Sequence, residues 1–140
     1  MGLAERLEAS GRQLGQREAA FVEELQLARA RAEELRADVA EALGRFHVAA
    51  ENAGAVHLSL EISAVRVDDK HVRSCEFELI RGRHRAIVTV KSCGEVTLVG
   101  PFQAGKEEGP CCSFPLVPSD EFVSAFEGFL ASFVEDAATP

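Results

Sequence analysis

The sequence contains no tryptophan and no tyrosine, although it contains nine phenylalanines. Large aromatic contacts must therefore be made by Phe, whose ring carries no polar group. Antibody-like and sugar-binding surfaces usually depend on Tyr and Trp for their contacts. The composition argues against both kinds of surface.

The sequence also lacks a run of about 18 apolar residues, so no segment is predicted to cross a membrane. The first residues, Met1 to Arg6, do not show the basic region and apolar stretch of a secretory signal peptide. We therefore expect a cytoplasmic protein with reduced thiols. Its cysteines are Cys75, Cys93, Cys111 and Cys112.

The net charge of −8 is unevenly distributed along the chain. Residues 1–52 carry a net charge of −3, residues 53–91 carry +2, and residues 92–140 carry −7. Nucleic-acid affinity comes largely from cations that neutralise phosphates, and only the middle segment has a cationic excess. Nucleic acid is therefore a less favoured partner than protein.

The first 50 residues are rich in Ala, Glu, Leu and Arg and contain no proline, a composition typical of helices. We predict a helical turn or two over residues 2–10 and a firm helix over residues 16–51. Gly11 and Gly15 make a helix less favourable in the segment that separates these two ranges. The helix would be roughly 50 Å long, so part of it must project from a small domain or pair with another helix.

An apolar stripe with heptad spacing runs along this helix from residue 21 to residue 49. Several of its positions are alanine, which allows a close contact between two helices. We predict that the stripe forms a homodimer interface, as in a coiled coil. Packing on the chain's own sheet and binding of a different protein are the alternatives. The predicted interface comprises Phe21, Leu25, Ala28, Ala32, Leu35, Val39, Ala42 and Phe46.

Residues 53–140 contain short runs in which apolar and polar residues alternate, a pattern typical of strands. Apolar and polar residues alternate over residues 56–62, with a bend expected near Ser63 and Ala64, and again over 74–79, 86–90 and 96–102. Short connections between these runs favour an antiparallel meander. A loop spans residues 103–118, with an edge strand possible at 111–114.

The last helix is predicted to begin after Ser119, which would act as its N-cap. Four phenylalanines at helical spacing follow and should face the sheet. The fold class is therefore α+β: a long N-terminal helix, a four- to five-stranded antiparallel meander sheet, and a C-terminal amphipathic helix packed on the sheet. We divide the chain into residues 1–52, for dimerisation, and residues 53–140, a small α+β domain.

No catalytic or metal-binding pattern can be recognised from residue spacing. Structural zinc sites usually use cysteines separated by two to four residues, whereas Cys111 and Cys112 are adjacent. The four histidines are scattered and form no Ser-His-Asp or Cys-His grouping. We predict no catalytic residues, no metal, no cofactor and no enzymatic activity.

A group of basic residues surrounds the second predicted turn: Arg81, Arg83, His84 and Arg85. A solvated hairpin tip is the simplest interpretation of this group. The same side chains could bind an acidic protein segment, and binding of RNA is less favoured because no aromatic residue lies among them to stack on bases.

These observations predict a non-enzymatic, homodimeric adaptor or chaperone-like module that binds an acidic or extended protein segment. Addition of a partner strand at the sheet edge is one mechanism for the extended case. Two alternatives stay open. One is a small-ligand-binding or enzymatic domain with a pocket between the sheet and loop 100–115. The other is nucleic-acid binding through the basic segment 66–91.

Overall fold

The computed structural model describes residues 2–68, 73–105, 109–117 and 119–138. The sequence Asp68-Asp69-Lys70 predicts a turn, of which the last two residues lie outside these ranges, as does the middle of loop 103–118. The predicted α+β class is confirmed. The elements are α1 (Leu3–Asn52), β1 (Glu61–Ile62), β2 (Arg66–Asp68), β3 (Ser74–Arg81), β4 (His84–Lys91), β5 (Glu95–Gln103), β6 (Cys111–Pro115) and α2 (Asp120–Ala138).

The sheet is an antiparallel meander in which β3, β4, β5 and β6 are neighbours in sequence order. β1 and β2 both pair with β3, along different parts of the same edge. They are separated by the bend predicted near Ser63, whose Oγ accepts a hydrogen bond from the Glu78 N–H at 2.9 Å. Residues 56–60, predicted as the start of a strand, do not form one, so the edge strand is shorter than expected.

Both helices pack on one face of the sheet. α1 contacts β3 and β4, and α2 contacts β4 and β5. The side chains that point to this face are almost completely buried, while most alternate residues on the other face are partly exposed, apart from Ser74 and Thr97. The buried set comprises Cys75, Phe77, Leu79, Ala86, Val88, Val90, Val96 and Leu98. The core therefore lies between one sheet face and the two helices.

α1 is one continuous helix of 50 residues, about 75 Å long. Gly11 and Gly15 do not interrupt it, contrary to the predicted weak region. Its apolar side chains pack against the core from Leu25 to Phe46, whereas Glu18 and Phe21 contact Arg73, just before β3. Residues 2–20 are all exposed. In the described part of the chain, neither α1 nor α2 is apolar enough over a sufficient length to cross a membrane.

α2 begins as predicted. The Ser119 Oγ accepts a hydrogen bond from the Phe122 N–H at 3.1 Å, which satisfies one of the free N–H groups of the first turn. Phe122, Phe129 and Phe133 are buried against the sheet, and Phe126 is half-buried and stacks on Phe122.

Candidate partner-binding site

The predicted basic group lies on the β3–β4 hairpin. The strands pair from Ser74 and Lys91 to Arg81 and His84, which leaves a two-residue loop, Gly82 and Arg83. Gly82 has a φ of 59°, a conformation that glycine adopts without steric cost. The tight turn therefore presents Arg83 at the tip and places Arg81 and His84 opposite each other.

Two of the three arginines are committed to the fold. The Arg81 guanidinium donates a hydrogen bond to the Ala137 carbonyl at 2.6 Å. The last turn of α2 has no basic residue of its own, so Arg81 supplies the cation that stabilises this helix end. Arg85 donates to the Gly82 carbonyl at 2.5 Å and points toward the open sheet face, where its Nε lies 3.9 Å from Glu78 Oε1.

Arg83 differs from both. Its side chain is exposed and has no hydrogen bond or ion pair with any described residue. Its backbone carbonyl accepts a hydrogen bond from the Ala104 N–H at 2.8 Å, which holds the tip against the end of β5. The guanidinium is thus carried on a fixed backbone and is available to a ligand.

An open pocket of about 640 Å³ lies beside the tip and is here termed the hairpin pocket. Its polar lining residues are His57, Arg81, Arg83, His84 and Gln103. Arg85, which was predicted to belong to the same site, does not line it. None of the lining residues carries a carboxylate.

His57 and Gln103 could not be recognised from the sequence, because both are distant from the hairpin along the chain. A register shift between Arg85 and Ile87 realigns the strands, so that Gln103 pairs with His84. The segment before β1 is attached to α1 by the Leu60 N–H, which donates to His47 Nε2 at 2.9 Å. This attachment brings His57 to the pocket.

The hairpin pocket therefore offers several hydrogen-bond donors and one unpaired cation to a ligand. Arg83 can bind a carboxylate through two parallel N–H groups. The lining residues of the pocket include no serine, threonine or cysteine that could act as a nucleophile. The arrangement suits the binding of acidic groups.

The residues predicted for the dimer interface divide into three groups. Ala28, Ala32, Leu35 and Val39 are at most 3% exposed, because they pack on the sheet of the same chain. A second copy has no access to these four side chains while α1 lies on the sheet. The remaining predicted interface residues are half-buried, at Phe21, Leu25 and Phe46, or exposed, at Ala42.

The cations of the basic segment 66–91 are distributed over the molecule. Arg66 pairs with Glu76 at 3.1 Å, Arg73 pairs with Glu18 of α1, and the Lys91 ammonium lies 3.7 Å from Glu95. These partners reduce the charge available to phosphates. Arg81 bonds to a backbone carbonyl, so among the described arginines and lysines of the segment Arg83 is the side chain with neither a carboxylate nor a carbonyl partner.

The alternative with a small-ligand pocket beside loop 100–115 receives little support. An open pocket of about 410 Å³ is lined by Cys93, Glu95 and the end of β6, but it is not enclosed. Cys111 and Cys112 are exposed, while burial raises the pKa of the Cys75 thiol. The described residues include no group of three His, Cys, Asp or Glu side chains that could hold a metal ion.

A third pocket, of about 320 Å³, lies between α1, α2 and β3. It is lined by apolar side chains of both helices, with Glu135 at its rim as the single charged residue. It has no convergent set of polar groups that would orient a ligand.

Comparison with known proteins identifies no relative: no protein-family model, curated protein or solved structure matches the chain significantly.

Proposed function

We propose that the protein is a non-enzymatic, homodimeric interaction module of the adaptor or chaperone-like kind, which binds an acidic segment of a partner protein at the hairpin pocket. The observation that supports this proposal is the environment of Arg83. Its guanidinium has no partner among the described residues, and it lies beside His57, His84 and Gln103 in a pocket whose lining contains no carboxylate.

A short acidic segment fits this pocket better than a long polyanion does. The basic residues of the hairpin pocket lie at one hairpin tip of a chain whose net charge is −8. A nucleic acid would extend beyond this end and meet acidic surfaces, which lowers its affinity. A peptide that places two or three carboxylates at the hairpin avoids most of this repulsion.

Addition of an extended partner strand along β6 is the other binding mode. The free edge of β6 offers few backbone donors for it. The Leu116 N–H bonds to Gly94 and the Gly100 N–H bonds to the Pro110 carbonyl, both at 2.8 Å. Because successive residues of a strand point their backbone groups to opposite sides, residues 111, 113 and 115 face the free edge. Pro115 has no N–H, so only Cys111 and Ser113 offer donors there.

The binding proposal can be tested with a fluorescein-labelled peptide rich in Glu and Asp, followed by fluorescence anisotropy at low ionic strength. We expect saturable binding that weakens as salt is added. Arg83→Glu should weaken it about tenfold or more, because a charge-assisted hydrogen bond contributes about 1.5–3 kcal/mol.

The matched control is Arg12→Glu, which makes the same charge change at an exposed residue of α1. It should change the affinity less than about twofold, since it lies far from the pocket. Equal loss of affinity in both variants would show that net charge alone governs binding, and the assignment of the hairpin pocket would be wrong.

A further inference from the structure

The first 18 residues of α1 form a projecting arm, defined as residues 3–20. It extends roughly 22 Å beyond Glu18, the arm residue that pairs with Arg73 beside β3. Leu3, Leu7 and Leu14 are 75%, 63% and 53% exposed. At 100° per residue these leucines share a sector of about 80° with the buried residues Ala28 to Leu43. The apolar stripe that packs on the sheet therefore continues, uncovered, along the arm.

A helical segment without tertiary contacts has little stabilisation, because most helical stability in proteins comes from packing of an amphipathic face. Gly11 and Gly15 make it less stable, since each glycine in a helix interior costs about 1 kcal/mol relative to alanine. No other described residue lies within 4 Å of the position that a Cβ would occupy at either glycine. A continuous arm with three aligned leucines is best explained by a helix that packs against it.

We propose that the arms of two copies pack against each other in antiparallel orientation. This inference rests on the homodimer of the proposed function and specifies its interface. It replaces the buried residues 28–39 with the exposed leucines of the same stripe. The contact is then made where the sheet ends and the stripe continues.

The orientation follows from the shared face of the stripe. A second helix that packs on the apolar stripe of the arm lies in the same layer as the sheet, on the same side of α1. If it ran parallel to α1, its own continuation would collide with β3 and β4, since the stripe and the sheet are on the same side. In the antiparallel arrangement, the N-terminus of the second helix points toward the sheet of the first copy. The sheet of the second copy then lies beyond Leu3 of the first copy. Each arm then fills the space under the other.

Charge supports the same arrangement. The arm contains three Glu and three Arg, so it is neutral, and the rest of the chain carries the full net charge of −8. Antiparallel arms place the two acidic bodies at opposite ends of the pair, where their repulsion is smallest. With the twofold axis near Ser10 and Gly11, Leu7 of one copy faces Leu14 of the other, and the glycine permits close approach.

Association through the arm can be tested by light scattering on the full chain at micromolar to submillimolar concentrations. We expect a dimer for the wild type and a monomer for the double variant Leu7→Glu with Leu14→Glu. These residues are exposed, so circular dichroism should show that the sheet and α2 stay folded. The control is Leu27→Glu with Val48→Glu, two exposed positions on other faces of α1, and it should remain dimeric.

Small-angle X-ray scattering of the wild type tests the orientation. Two 75 Å helices that overlap only through their arms predict a maximum dimension of about 120 Å. A dimer of less than about 90 Å would exclude antiparallel arms. A dimer that persists in the Leu7 and Leu14 variant would show that the arms do not form the interface, although the protein is a homodimer.

A monomeric wild type would refute both the association through the arms and the homodimer. The peptide experiment would still test the proposed binding of an acidic segment. Cosedimentation of this monomer with phosphatidylglycerol vesicles, lost in the leucine variant, would assign the stripe to a lipid surface instead.

Discussion

Leu35→Ala should destabilise the protein strongly, whereas Leu14→Ala should not. Both leucines lie on the same stripe of the same helix, but Leu35 is 3% exposed and Leu14 is 53% exposed. Truncation of a buried leucine removes its transfer free energy and leaves a cavity between α1 and the sheet, with a total cost of about 3 kcal/mol. Substitutions at exposed sites usually change stability by less than about 0.5 kcal/mol.

The free energy of unfolding is measured by urea denaturation, followed by circular dichroism at submicromolar protein, where association through the arm is minimal. For a chain of this size, about 3 kcal/mol corresponds to a shift of roughly 10 °C in Tm. The loss in Leu35→Ala should not depend on protein concentration. A loss below about 1 kcal/mol, or equal losses in the two variants, would refute the packing of this part of α1 on its own sheet.

Other contacts give three further predictions. A thiol reagent should modify three cysteines rapidly in the folded protein and Cys75 only after unfolding, because burial raises the pKa of this thiol and restricts access; four equal rates would contradict this. Arg81→Ala should cost about 1–2 kcal/mol in urea denaturation through loss of its bond to Ala137, whereas Arg83→Ala should cost less than about 0.5 kcal/mol. Ser119→Ala should lower the free energy of unfolding by about 1 kcal/mol through loss of the N-cap, and no change would show that water replaces it.

The regular elements could be predicted because local patterns determine them. Alternation identified β3 and β4, whose inward residues Phe77 and Val88 are fully buried, and helical spacing of phenylalanine identified the buried face of α2. The partner of the α1 stripe could not be predicted, since a face of Leu, Val and Ala fits a sheet as well as it fits a second helix. Tertiary contact decides between them.

The same limit applies to the candidate site. Arg81, Arg83 and Arg85 are alternate residues of one short segment and appear equivalent in sequence. Only the structure shows that Arg81 bonds to the end of α2 and that Arg85 bonds to its own turn. His57 reaches the pocket through the contact of Leu60 with His47, 13 residues apart, which no local pattern indicates.

The most direct test of the proposed function is NMR chemical-shift mapping of the ¹⁵N-labelled full chain during titration with the acidic peptide. We expect the largest amide shifts at Arg83, His84 and Gln103, with a smaller effect at His57. Shifts confined to β6, or an absence of shifts at saturating peptide, would contradict the assignment of the hairpin pocket as the partner-binding site.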